Sequence, residues 1–153
     1  MKDRDYMRLA LVEAEKAAAE GEIPVGAVLV SSEGGIIASG HNLRETEHDA
    51  TAHAEIIAIR EGGRRLGDFR LTGATLYVTL EPCPMCAGAI AASRLRRLVY
   101  GAPDSRAGAV ESVMAMFAEP ALFAAGIEVA GGVMEDECRA VLQKFFCDRR
   151  RDL

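Results

Sequence analysis

Two cysteines three positions apart, in Glu81-Pro82-Cys83-Pro84-Met85-Cys86, fall between an apolar, β-rich run and an alanine-rich one. A strand-to-helix junction carrying two thiols at metal-ligand spacing narrows the possible folds more than any other stretch of this chain. Pro84 suits a first helical turn. Cys83 and Cys86 then lie over the same helix end, where free N–H groups and the positive end of the helix dipole favour thiolates. Two thiolates leave zinc under-coordinated. Upstream, Thr51-Ala52-His53-Ala54-Glu55 opens another helix-like run and offers His53 as a third ligand. Structural zinc sites close with four protein ligands, whereas catalytic ones keep a position for water. Glu55, beside His53, is the group that such a water needs.

The remainder of the chain is expected to form one domain over residues 1–153, with half its residues hydrophobic and a sizeable core. No apolar run approaches a membrane span, and Met1-Lys2-Asp3-Arg4-Asp5 leads into an amphipathic segment rather than a signal-type one. The expectation is a cytoplasmic protein without a membrane partner. In that setting the four cysteines read as metal ligands plus stray thiols, with Cys138 and Cys147 packing on a final helix. The net charge of −5 gives no global electrostatic case for nucleic acid. Arg64-Arg65, Arg94 with Arg96-Arg97, and Arg149-Arg150-Arg151 read first as solvated helix ends set against C-terminal dipoles.

Apolar periodicity predicts a helix from about Tyr6 to Glu20, stopped by Gly21, then a hairpin of strands Val25–Val30 and Ile36–Gly40. Gly26 inside the first strand implies that something packs closely on it. The polar loop His41–Asp49 leads into a helix capped by Thr51 or Asp49 and running toward Gly62-Gly63. In mid-helix His53 and Glu55 would point to nearly opposite sides, so they converge only in an end turn. Leu71–Leu80 is predicted as a buried strand, Ala87–Ser93 as a helix and Leu98–Tyr100 as a strand. Val113–Phe117 follows as a short helix, Ile127–Val129 as a fifth strand and Glu135–Arg151 as the last helix. This alternation argues for an α/β sandwich around a central sheet.

His53-Ala54-Glu55 taken with Pro82-Cys83-Pro84-Met85-Cys86 is similar to the paired signature of the cytidine deaminase-like zinc family. Within it the chain resembles the bacterial tRNA-specific adenosine deaminases, which convert adenosine at the anticodon wobble position to inosine. The likeness runs nearly full length, through Gly21-Glu22-Ile23-Pro24-Val25-Gly26-Ala27-Val28, His41-Asn42-Leu43-Arg44-Glu45, Asp49–Glu55, Ala74–Ala89 and Phe145-Phe146. The departures are Ala50 in place of a proline, an apolar Pro120-Ala121-Leu122-Phe123-Ala124-Ala125 in place of an Asn-His pair, and little chain after Arg151.

The resemblance implies a three-layer α/β/α sandwich around a five-stranded mixed sheet and a hydrolase acting on C–N bonds other than peptide bonds. It implies one zinc ion per subunit on His53, Cys83 and Cys86, Glu55 as general acid and base, and Asn42, Ala54 and Asp104 against the substrate. It also implies a tRNA anticodon stem-loop as partner and a homodimer with the helix after the cysteine pair near its interface. From the residues alone Asn42 reads as a turn residue, and His41 and His48 as surface histidines. Two other functions stay open. One is a deaminase of a free base or nucleoside of the guanine or cytosine type. The other is a non-catalytic zinc-stabilised binding module, which needs a fourth ligand from Cys138, Cys147 or His48.

Overall fold

The computed structural model describes residues 1–151; the short segment after Arg151 lies outside them. In order come α1 (Asp3–Ala19), β1 (Gly26–Val30), β2 (Ile36–His41), α2 (Ala54–Leu66), β3 (Thr75–Leu80), α3 (Pro84–Ala92), β4 (Arg97–Ala102), β5 (Glu128–Ala130) and α4 (Glu135–Arg151). The strands form one mixed sheet in the order β2-β1-β3-β4-β5. Strand alternation then builds the layers. Ala27, Leu29, Leu76, Val78 and Leu98 turn to one face, where Ala54 and Ala58 of α2 and Ala87 and Ile90 of α3 cover them. Val28, Val30, Tyr77 and Val99 turn to the other, against Tyr6, Met7 and Ala10 of α1 and Cys138 of α4. The result is the expected three-layer sandwich.

Strand direction decides where the loops meet. β2 and β3 are each antiparallel to β1, so they run the same way, and β4 is parallel to β3. The loops that leave β2, β3 and β4 therefore emerge at one edge of the sheet, the edge where open α/β sheets gather their ligands. Asn42 follows β2, the cysteine pair follows β3 and Asp104 follows β4.

Two contacts hold α1 across the sheet. At Gly26 the helix passes so close that a Cβ would collide with the Ala10 carbonyl oxygen and lie 2.8 Å from Glu13 Cβ. At the N-terminus of α1, Asp3 accepts two hydrogen bonds of 2.8 Å from the Arg97 guanidinium and one of 2.7 Å from the Tyr77 hydroxyl. Arg97 thus braces the sheet rather than standing as part of a solvated basic cluster. Arg64 and Arg65 do lie at the end of α2, paired with Glu61. Arg149, exposed on α4, donates to the Gly21 carbonyl at 3.1 Å and lies over the Phe145 ring.

Three boundaries differ from expectation for local reasons. The N-cap of α2 is His53 itself, not Thr51 or Asp49; Asp49 instead accepts from Thr51 within the loop. Residues 71–74 form a turn, because Gly73 at φ 83° breaks the extended run before β3. The helix expected over Val113–Phe117 shrinks to a 3₁₀ turn at Met116–Ala118, since the Val113 and Met114 amides both donate to the Gly108 carbonyl.

Replacing Gly26 with alanine is expected to cost about 1–3 kcal/mol of stability, read by chemical denaturation, because α1 must move off the sheet. The Arg97 hydrogen bonds, with Tyr77 adding and burial opposing, hold the Asp3 carboxyl below its ordinary 3.8. Its contribution is complete above that value and is lost as pH falls through the lowered one. Asp3→Asn should lower stability at neutral pH and flatten its acid limb in denaturation curves taken from pH 6 to pH 2, while unchanged curves would contradict the brace.

Candidate active site

α2 and α3 begin at the shared edge with their first turns facing each other. His53 is the N-cap of α2 at φ −72°, ψ 156°, and Cys83 is the N-cap of α3 at φ −79°, ψ 172°. Pro84 occupies the first turn of α3, as its fixed φ predicts, and Cys86 completes that turn. His53 Nδ1 lies 3.6 Å from Cys83 Sγ and 3.5 Å from Cys86 Sγ, and the three atoms all fall within 4.8 Å of one another. On a tetrahedral zinc, with Zn–S near 2.3 Å and Zn–N near 2.0 Å, a sulfur and a nitrogen ligand sit about 3.5 Å apart. The donor set and its spacing fit that ion.

Proton affinities in the cluster follow from its crowding. The hydrogen bond from Cys86, helped by His53 and opposed by burial, brings the Cys83 thiol down to about 4. The same contact with Cys83, together with burial and the nearby Glu55 charge, pushes Cys86 far up. His53 is raised, chiefly by its hydrogen bond with Cys83. Of the two thiols, Cys83 is the one whose thiolate this arrangement favours.

Glu55 lies in the first turn of α2 and is 4% exposed. Burial raises its carboxyl above the ordinary range, so it holds a proton more readily than a surface glutamate. It lines a cavity of about 230 Å³ together with His53, Cys83 and Ala54. That volume is below the ~300–1,000 Å³ of sites for drug-sized ligands and suits a single heteroaromatic base. Ile23, Val25 and Leu80 give the cavity apolar wall, while Asn42, Arg44 and Asp104 give it polar edges.

The loops flanking the cavity are fixed by hydrogen bonds more than by packing. Asn42, 6% exposed, donates to the Ile23 carbonyl at 3.2 Å and accepts from the Arg44 amide at 3.2 Å. Asp104 accepts from the Arg106 and Ala107 amides, a tight polar turn at the end of β4. Glu81 also lines the cavity and is bound by the loop after β4. Burial acts to raise it, but the Ser112 hydroxyl and the amides of Glu111, Asp104 and Ser112 hold it down to about 2.

All seven residues expected at the site from the sequence, His53, Cys83, Cys86, Glu55, Asn42, Ala54 and Asp104, come together: the first three as the donor cluster, and all but Cys86 as lining of the cavity. Arg44 and Glu81 were missed as site residues. An acid directly before Pro-Cys at a strand end was the only signal for Glu81. His41 is not free at the surface; its ring bridges Glu13 and Glu20 at 3.2 and 3.0 Å. Among the described residues none of Cys138, Cys147 and His48 joins the donor cluster, with Cys138 buried between α4 and the sheet and Cys147 exposed. Residues 120–125 do not line the cavity; Phe123 stacks on Phe117 with ring centroids 4.8 Å apart.

The family model for the cytidine and deoxycytidylate deaminase zinc-binding region matches residues 1–102. The tRNA-specific adenosine deaminase of Bacillus subtilis is 50% identical over 149 residues, 97% of this chain and 91% of that protein. That of Haemophilus influenzae is 50% identical over 150 residues, 98% and 86% of the two chains. A solved structure from studies of A-to-I editing by tRNA:A34 deaminases superposes with a TM-score of 0.86 at 48% identity, covering 90% of this chain and 99% of that one. The guanine deaminase of Nitrosomonas europaea gives a TM-score of 0.83 at 25% identity, over 94% and 84%. With the fold, the donor cluster and these likenesses in agreement, the chain belongs to the cytidine and deoxycytidylate deaminase family, with half its residues identical to proteins named tRNA-specific adenosine deaminase over nearly its full length.

Proposed function

We propose that this chain is a zinc-dependent hydrolytic deaminase that converts adenosine to inosine at the wobble position of the tRNA anticodon, A34 to I34. The observation that carries the chemistry is the meeting of His53 Nδ1, Cys83 Sγ and Cys86 Sγ at zinc-ligand separations beside the buried Glu55. Half identity over nearly the full chain to tRNA-specific adenosine deaminases, against 25% to a guanine deaminase of the same fold, supports the substrate.

His53, Cys83 and Cys86 would hold one zinc ion per subunit, leaving one position for water. Zinc, when bound, supplies an activated water as nucleophile for C6 of the adenine ring. Glu55 takes a proton from that water and delivers it to ring N1, and a second proton through the same carboxyl lets the exocyclic amine leave as ammonia. Adenosine and water thus give inosine and ammonia with atoms and charge balanced. A carboxyl raised by burial suits a group that must both accept and return a proton at neutral pH. Ile23, Val25 and Leu80 exclude bulk water from the base, Asn42, Ala54 and Asp104 orient it, and Arg44 at the rim meets a flanking phosphate.

The anticodon stem-loop is the partner, and the protein works in the cytoplasm as a homodimer. An open groove between α2 and α3, lined by Ile59, Phe69, Ala89 and Ala92 with Phe69 58% exposed, supports pairing on the face expected from the sequence. That His48, Cys138 and Cys147 stand outside the donor cluster among the described residues weighs against a non-catalytic zinc module. A free-base deaminase remains the competing substrate reading, on the strength of the guanine deaminase likeness.

Purified zinc-loaded protein should form inosine in an anticodon stem-loop bearing A34 and leave free guanine, cytosine and adenine unchanged. Turnover of a free base with none on the stem-loop would overturn the substrate. Glu55→Gln should lower kcat by a factor of about 10²–10⁴ while metal analysis still finds one zinc per chain. Full activity in that variant would remove Glu55 from the mechanism.

A further inference from the structure

Glu81 is 2% exposed, yet five donors from a single loop converge on it. Its Oε1 accepts the Asp104 amide at 2.9 Å and the Ser112 hydroxyl. Its Oε2 accepts the amides of Val110, Glu111 and Ser112 at 3.0, 3.0 and 3.1 Å. An apolar side chain would anchor a loop without the desolvation penalty of a buried carboxylate. What the carboxylate adds is direction, because each oxygen fixes a particular amide. The segment it gathers, residues 104–112, has no helix or strand of its own, and it supplies Asp104 and Ala107 to the cavity.

Glu81 also sits two residues before Cys83 on the rigid continuation of β3, and its own amide donates to the Ala102 carbonyl at the end of β4. The thiol and the loop wall are therefore referenced to the same few atoms. A second tie, from the Tyr100 hydroxyl of β4 to the Glu111 carboxylate, holds the far part of the loop to the sheet. Asp104 has no such second tie to the sheet by its side chain, whose Oδ1 accepts the Arg106 and Ala107 amides within the loop. Beyond its chain link to the end of β4 and the loop's bond from the Ala109 amide to the Pro82 carbonyl, the bond to Glu81 is the contact that fixes the Asp104 amide itself.

We propose that Glu81 is a positioning residue for deamination: through the Asp104 amide it sets the distance between the reacting centre and the cavity wall that receives the nucleoside. This rests on the functional reading above. The role concerns substrate placement, so it should appear in KM rather than in the chemical step.

Glu81→Gln is the direct test. The amide keeps the shape of the carboxylate but has only one acceptor oxygen. That oxygen best serves the three amides of residues 110–112, which leaves the NH₂ group facing the Asp104 N–H, donor against donor. KM for the A34 stem-loop should rise about tenfold, the loss expected for one hydrogen bond to a charged group, with kcat within about threefold and zinc content unchanged. An Asp104→Ala background keeps that amide but removes the side chain it places against the cavity, so there the same change should raise KM no further. Gly108→Ala tests the contact from the other side, since a Cβ there would run into the Glu81 carboxylate, and the same KM rise is expected.

Equal losses with and without Asp104, or a fall in kcat accompanied by lost zinc, would make Glu81 a structural residue only and overturn the proposal. So would a Glu81→Gln variant with unchanged KM, or failure of both single variants to fold. Wild-type protein that is inactive on the stem-loop would refute the functional reading itself and with it the positioning role.

Discussion

The site exists because three strands of one sheet run in the same direction. With β2 and β3 both antiparallel to β1, and β4 parallel to β3, every loop that carries chemistry leaves the sheet at one edge. Two of those loops end in helix N-termini, and the residues at the caps, His53 and Cys83, are the ones that meet. A cap residue has extended backbone while its neighbours are already helical, which is why His53 and Glu55 approach the same centre although two positions apart. Shifting either helix by one residue would carry its ligand away from the other.

Electrostatics at this edge is arranged by burial. Glu55 is pushed up by exclusion from water, while Glu81, also buried, is held down by the donors around it. Two glutamates within the same cavity lining are thereby shifted in opposite directions: one holds a proton more readily than a surface glutamate, and the other is held ionised by the backbone it fixes. The environment separates them, because one is desolvated beside the cysteine pair and the other is ringed by amide donors.

Much of this was legible in the sequence because the relevant signals are local. The spacing of Cys83 and Cys86, Pro84 at the first helical position and small residues after it place a helix start on the thiols. The same reading requires His53 and Glu55 to lie in an end turn. Gly26 announced a close crossing that α1 provides. What was not legible depends on partners far along the chain. The work of Glu81 is done by residues 104–112, and the Gly108 carbonyl of that loop takes the Val113 and Met114 amides, turning the apolar run at Val113–Phe117 from the expected helix into a turn. Arg97 looked like one of a solvated group because Asp3, its partner, lies 94 positions earlier in the sequence. The apolar segment Pro120–Ala125 lies away from the cavity, and the stacking of Phe123 on Phe117 gives it a packing role.

The central claim is an open metal centre with three protein ligands. X-ray absorption at the zinc K-edge of the purified, zinc-loaded protein reads that shell directly. The account predicts two sulfurs at about 2.3 Å, one imidazole nitrogen and one further light ligand from solvent. A third sulfur, or a second imidazole closing the shell, would contradict it and return the site to a structural role.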